Sequence, residues 1–198
     1  AVLRRVGRGL RRSLAVIVIG AVVLIVGWRR FWAPVPVEVV RVESAREMLA
    51  AVEAALPADI AIFAAAVADW RVANAGEQKI KKTSDGMPPL QLVENPDILA
   101  TVSKRTQGRP HLVIGFAAET QNLIDNATAK LTRKGCDWIV ANDVSPASGV
   151  MGGDRNTVHI LTRDKADIAV DSWPVMTKEE VADALVAKIA ETMEKQPI

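Results

Sequence analysis

The chain has 198 residues and a formal charge of +2: room for one sizeable core plus an extension, and no strong field to draw DNA or RNA as its main partner. A lone cysteine, Cys136, excludes an internal disulfide framework and a multi-cysteine metal site, and two histidines without ligand spacing argue against zinc. Cys136 precedes an apolar run and reads as a packing residue rather than a nucleophile.

Residues 1–36 stand apart in composition. Arginines occur there, but the first acid is Glu38 and the first lysine is Lys79. The run Leu14 to Trp28, flanked by arginines, is short for a bilayer span, which needs roughly 18–20 residues. It also fits a signal-anchor, and it fits a buried parallel strand, because Val and Ile dominate and Gly20 interrupts it. The membrane reading leads on local pattern alone.

From Val37 onward strands and helices alternate. "VEVVRV" is a short strand. Ser44 to Leu56 is a helix with a capping box, Ser44 facing Glu47. Asp59 to Ala66 is an apolar strand. Asn95 and Pro96 read as the cap and first position of a further helix. "HLVIGFAAE" is a buried strand, Thr120 to Lys134 a helix stopped by Gly135, and "DWIVAND" the next strand. "TVHILTR" and "ADIAV" form a hairpin around Asp164 and Lys165. Thr177 to Lys195 is a closing amphipathic helix with a second capping box, Thr177 and Glu180. Continuous apolar strands separated by helices predict an α/β fold, a Rossmann-like three-layer architecture with a mostly parallel sheet and a C-terminal β-hairpin.

Ligands bind such sheets beyond the carboxyl ends of the strands. Three strands end there in polar groups: Asp69, Trp70 and Arg71; Glu119 and Thr120; Asn142 and Asp143. Between Arg71 and Leu90 runs an aperiodic loop of about twenty residues, longer than most connections in a compact domain. It carries "QKIKK", with Lys79, Lys81 and Lys82. A lysine cluster is commonly a solvated face, but on a mobile lid ammonium groups offset the charge of a polyphosphate. Lys130 and Lys134 lie four apart on one helix face. Such a set suits a nucleoside triphosphate, and Asp69 is a natural magnesium contact.

"AAAVADWR", "KIKK", "NPDIL", "GFAAET", "KGCDWIVAND" and "DRNTVHIL" follow one another at a spacing that resembles the phosphopantothenate–cysteine ligase domain of bacterial coenzyme A biosynthesis. That domain is often fused behind a flavin-dependent decarboxylase. The resemblance covers about Val37 to Lys195, within a domain of residues 37–198, and implies a CTP-dependent ligation of 4′-phosphopantothenate to L-cysteine through an acyl-cytidylate, with Mg2+, in a homodimer, without flavin on this chain. By motif it implies that Lys79 is the catalytic lid lysine and that Asp69 holds nucleotide and metal. It further implies that Pro96, Asp97, Ile98 and Leu99 line the nucleotide site with backbone groups, and that Phe116 packs near the cytidine. Lys130 and Lys134 would contact nucleotide, and Ala65 lies where the nucleotide approaches a strand end.

Family members open this domain with a strand, a Gly/Ser-rich turn and a helix that carry an asparagine and an "SSGK"-like stretch. Residues 1–36 have no asparagine and one serine, so they are read as a frame-shifted end or a membrane anchor. Two rivals follow. One is an inactive or anchored remnant, single-pass in the inner membrane through residues 14–28, in place of a cytoplasmic enzyme. The other, a nicotinamide-dinucleotide oxidoreductase, lacks the G-x-G-x-x-G it needs.

Overall fold

A computed structural model describes residues 2–5, 16–19, 37–73, 89–145, 154–164 and 167–195. Its first strands are β1 (Val2–Arg5), β2 (Val16–Ile19) and β3 (Val37–Val40). β1 and β3 pair antiparallel, while β2, inside the apolar run, lies parallel to β4 (Ile60–Phe63) as an outer strand of the main sheet. Val16–Ile19 therefore takes the strand conformation, one of the three readings of that run; the remainder of the run lies outside the described residues. No helix among the described residues is long and apolar enough to cross a membrane.

Before β4 comes α1 (Ala45–Ala54). Ser44 and Glu47 close the predicted capping box in both directions, the Ser44 hydroxyl accepting from the Glu47 N–H and the Glu47 carboxylate from the Ser44 N–H. After β4 the chain forms two short strands, β5 (Trp70–Val72) and β6 (Leu92–Glu94), paired antiparallel as a separate ribbon. The aperiodic loop predicted from Arg71 to Leu90 thus begins inside a strand. Two three-residue strands are too short to show a period in the sequence.

The predicted start of the next helix also shifts. α2 (Ile98–Ser103) begins two residues after Pro96, and its cap is Asp97, whose Oδ1 accepts from the Ala100 N–H at 3.0 Å. Asn95 is not the cap; its side chain is engaged elsewhere. β7 (Leu112–Glu119) follows, then α3 (Leu123–Lys134). Asn122, in the left-handed region at φ 49°, delays the start of α3 to Leu123, and Gly135 ends it at φ 74°, a C′ conformation that suits a residue without Cβ.

β8 (Trp138–Asp143) lies parallel to β7 and antiparallel to β10 (Val158–Asp164), with β9 (Arg155–Asn156) between them in sequence. β10 and β11 (Asp167–Ser172) make the predicted hairpin, the ladder closing with Asp164 opposite Asp167. β12 (Met176–Thr177) pairs with β9 and leads into α4 (Lys178–Lys195), where Thr177 and Glu180 form the second reciprocal cap.

The six-stranded sheet has the order β11-β10-β8-β7-β4-β2; β8, β7, β4 and β2 run parallel, and β10 joins β8 and β11 by antiparallel pairing. Side chains alternate between its faces with period two. Ala61, Phe63, Val113, Ala117, Ile139, Ala141 and Leu161 face α1, α2 and α3 through Val52, Val102 and Leu131. Ile60, Ile62, Leu112, Ile114, Trp138, Val140 and Ile160 face α4, which presents Val181, Leu185 and Ile189 at helical spacing. The three-layer α/β expectation is met.

Candidate nucleotide-site cleft

Parallel β4 and β7 bring their carboxyl ends to one edge, and α2 lies against that edge. It can lie so close because Gly115 has no side chain. A Cβ there would come within 2.6 Å of Leu99 Cδ2 and 2.9 Å of Ile139 Cδ1. The result is a cleft of about 160 Å³ at the strand ends. Ala65 and Asp69 enter it from the segment leaving β4, Pro96 to Leu99 from the start of α2, Phe116 from β7, and Lys130 and Lys134 from α3. Nine of the ten residues that the family resemblance assigns to the site therefore line one cleft. The tenth, Lys79, and its neighbours Lys81 and Lys82 lie outside the described residues. Five further residues line the cleft without having been singled out for the site: Met48, Phe63, Val67, Ala68 and Asn95. Phe63 could have been found as the last residue of its strand. Nothing local marks Met48, which arrives from α1.

The two α3 lysines have different surroundings. Lys134 donates from Nζ to Asp97 Oδ2, tying α3 to the capped start of α2. Burial alone would raise the Asp97 carboxyl, but the hydrogen bond from Lys134, the Ala100 N–H and the charges of Lys134 and Arg133 outweigh it and hold it below the usual range. Lys130 is half-buried. Burial, then the neighbouring Lys134 charge, push its ammonium below its ordinary value, with Glu119 acting in the opposite direction. The cleft thus has one cation committed to a carboxylate and a second beside it, partly stripped of water.

The far ends of the strands complete the frame. Glu119 and Asp143 stand opposite each other at the last rung between β7 and β8. Asn126 of α3 donates to Glu119 Oε2 at 3.2 Å, and Asp143 accepts the Ser145 N–H at 2.7 Å, which holds its carboxyl below the usual range. Among the described residues no group of three or more His, Cys, Asp or Glu side chains could cage a metal ion. Asp69 offers a lone exposed hard oxygen ligand at the cleft, a donor set suited to a magnesium ion held chiefly by phosphates.

Residues 8–193 match the DNA/pantothenate metabolism flavoprotein C-terminal domain family, so the match takes in most of the compositionally distinct segment 1–36. The coenzyme A biosynthesis bifunctional protein CoaBC of Haemophilus influenzae is 40% identical over 175 residues, covering 88% of this chain and 42% of that protein. CoaBC of Mycobacterium tuberculosis is 38% identical over 167 residues, covering 79% and 40%. The chain spans about two fifths of the length of these curated relatives. Among solved structures, the C-terminal domain of a CoaBC protein superposes with TM-score 0.59 at 34% identity, over 79% of this chain and 66% of that one. A DNA/pantothenate metabolism flavoprotein from Streptococcus pneumoniae, 21% identical with TM-score 0.52, shares the fold.

Proposed function

This chain belongs to the DNA/pantothenate metabolism flavoprotein C-terminal domain family, and on that premise we propose that it is a phosphopantothenate–cysteine ligase using CTP. The observation that carries the reading is the convergence of Ala65, Asp69, Pro96–Leu99, Phe116, Lys130 and Lys134 on one cleft at the carboxyl edge of a parallel sheet. The relatives' role in coenzyme A biosynthesis supports it.

In the proposed reaction the carboxylate of 4′-phosphopantothenate attacks the α-phosphorus of CTP. A P–O bond forms, the bond to the β-phosphate oxygen breaks, and pyrophosphate leaves. The amine of cysteine then attacks the acyl carbon of the mixed anhydride, losing a proton as the C–N bond forms, and CMP departs. Magnesium, when bound with the triphosphate, neutralises phosphate charge, and Asp69 is the residue that would hold it. Lys130 supplies positive charge in a half-buried place, where it acts more strongly than in water. Phe116 packs against the base, and the Lys134–Asp97 pair holds α2 in place under it. Lys79, by its motif, is the lysine to which the proposal gives the catalytic lid role.

The ribbon supports a homodimer. Trp70, Val72 and Leu92 fall on one face of β5–β6 together with Glu94, which stands opposite Trp70, and Trp70 and Leu92 are 55% and 56% exposed. A two-stranded ribbon with a mostly apolar face gains by pairing with a second copy.

The test is pyrophosphate release by the purified chain from CTP and magnesium, with and without 4′-phosphopantothenate and cysteine, beside Lys79→Gln. Release that requires phosphopantothenate and is lost in Lys79→Gln is the expected result. A folded chain that releases none would overturn the proposal.

A further inference from the structure

A second cleft, of about 910 Å³, opens beside the first, between the start of α1 (Glu43, Ser44, Arg46) and β5 (Trp70, Arg71). The partition between the two consists of Met48, Ala65, Val67, Ala68 and Asn95, which line both. Asn95 is the one polar side chain among these five. Its Nδ2 donates to the Ala68 carbonyl at 2.8 Å, and its backbone N–H donates to the Asp69 carbonyl at 2.8 Å. Beside it Arg71 Nη1 donates to the Glu94 carbonyl.

The segment these bonds hold is composed of small and apolar residues, Ala64 to Ala68, so it has no polar side chains of its own to fix its course. One backbone bond at Asp69 would leave the segment free to pivot. A second bond, one residue earlier and from a side chain on the facing strand end, removes that freedom. Resting on the ligase reading above, we infer that Asn95 is a positioning residue: its amide fixes the Ala65–Asp69 segment, and with it Asp69, at the partition between the nucleotide cleft and its neighbour. In-line attack on the α-phosphorus depends on how closely the groups around it are held in place. A shift of about 1 Å at such a boundary can slow a step by about a hundredfold while leaving ground-state binding nearly intact.

Asn95→Leu keeps the size of the side chain and removes the donor; Asn95→Gln retains a donor on a longer arm. Initial pyrophosphate release is measured against CTP concentration at saturating 4′-phosphopantothenate, with thermal unfolding in parallel. In Asn95→Leu, kcat is expected to fall about 10- to 100-fold, CTP KM to stay within about threefold, and Tm to drop by no more than about 4 °C. Asn95→Gln is expected to recover part of the rate. An unchanged kcat in Asn95→Leu, with active wild type, overturns the inference alone. So does a raised CTP KM at constant kcat, which would make Asn95 a direct binding contact, or a loss in both variants that tracks a lost folded fraction. Wild type that releases no pyrophosphate overturns the ligase reading, and the inference with it.

Discussion

Asp97 does two jobs that can be separated by substitution. Its Oδ1 caps α2 through the Ala100 N–H at 3.0 Å, and its Oδ2 pairs with Lys134, whose side chain is 15% exposed against 45% for Asp97. Replacing an aspartate cap by alanine costs about 1 kcal/mol. The pair, partly exposed, adds about 0.5–1 kcal/mol, including the cost of leaving Lys134 uncompensated beside Lys130. Asp97→Ala should therefore cost about 2 kcal/mol, and Asp97→Asn, which keeps the capping oxygen, less than about 1 kcal/mol. For a chain of this size that is a fall in Tm of about 4–8 °C against about 1–4 °C. The sign of the pH dependence follows from the depressed carboxyl. Its stabilisation is present above the ordinary value of 3.8 and is lost as pH falls below that through the value held in the fold. Urea unfolding at about pH 5 and about pH 3 should therefore show the gap between wild type and Asp97→Asn closing at the lower pH. Equal losses in Asp97→Ala and Asp97→Asn, or a gap that does not change with pH, would refute the division into cap and charge.

Gly115→Ala should cost about 1–3 kcal/mol, because the new methyl must displace Leu99 and Ile139 together; it should also raise the CTP KM by moving Leu99, and unfolding curves with neutral stability would contradict this. Trp70→Ser with Leu92→Ser should shift sedimentation toward the monomer while leaving far-ultraviolet circular dichroism unchanged. Cys136 is 1% exposed and its thiol is pushed up to about 11 by burial. It should resist aromatic disulfide reagents at neutral pH in the native protein and react promptly in urea; fast native labelling would contradict its burial.

Much of the fold is legible in the chain itself. The caps at Ser44 and Thr177, the stop at Gly135, the apolar runs of β7 and β8 and the β10–β11 hairpin are set by residue pairs three apart, by a single glycine or by short runs along the chain, and those signals are local. The cleft residues were legible for a different reason. Their motifs, each weak alone, occur in order, and the chain order of a parallel sheet carries them to one edge. Other features depended on contacts that no local window contains. Lys134, a nucleotide contact by its motif, also bonds Asp97 across 37 positions. Asn95 was read as a cap, yet its amide reaches back 27 positions to Ala68, and the Arg71–Glu94 bond inside the β5–β6 ribbon spans 23. The apolar run at residues 14–28 favours a membrane span on local pattern, yet for Val16–Ile19 the open edge of β4 supplies the backbone partners for a strand. Sequence determined most of the helices and strands and the chain order of the residues that line the cleft. Tertiary structure decided which of those residues face one another, because pairing energies act through space while patterns act along the chain.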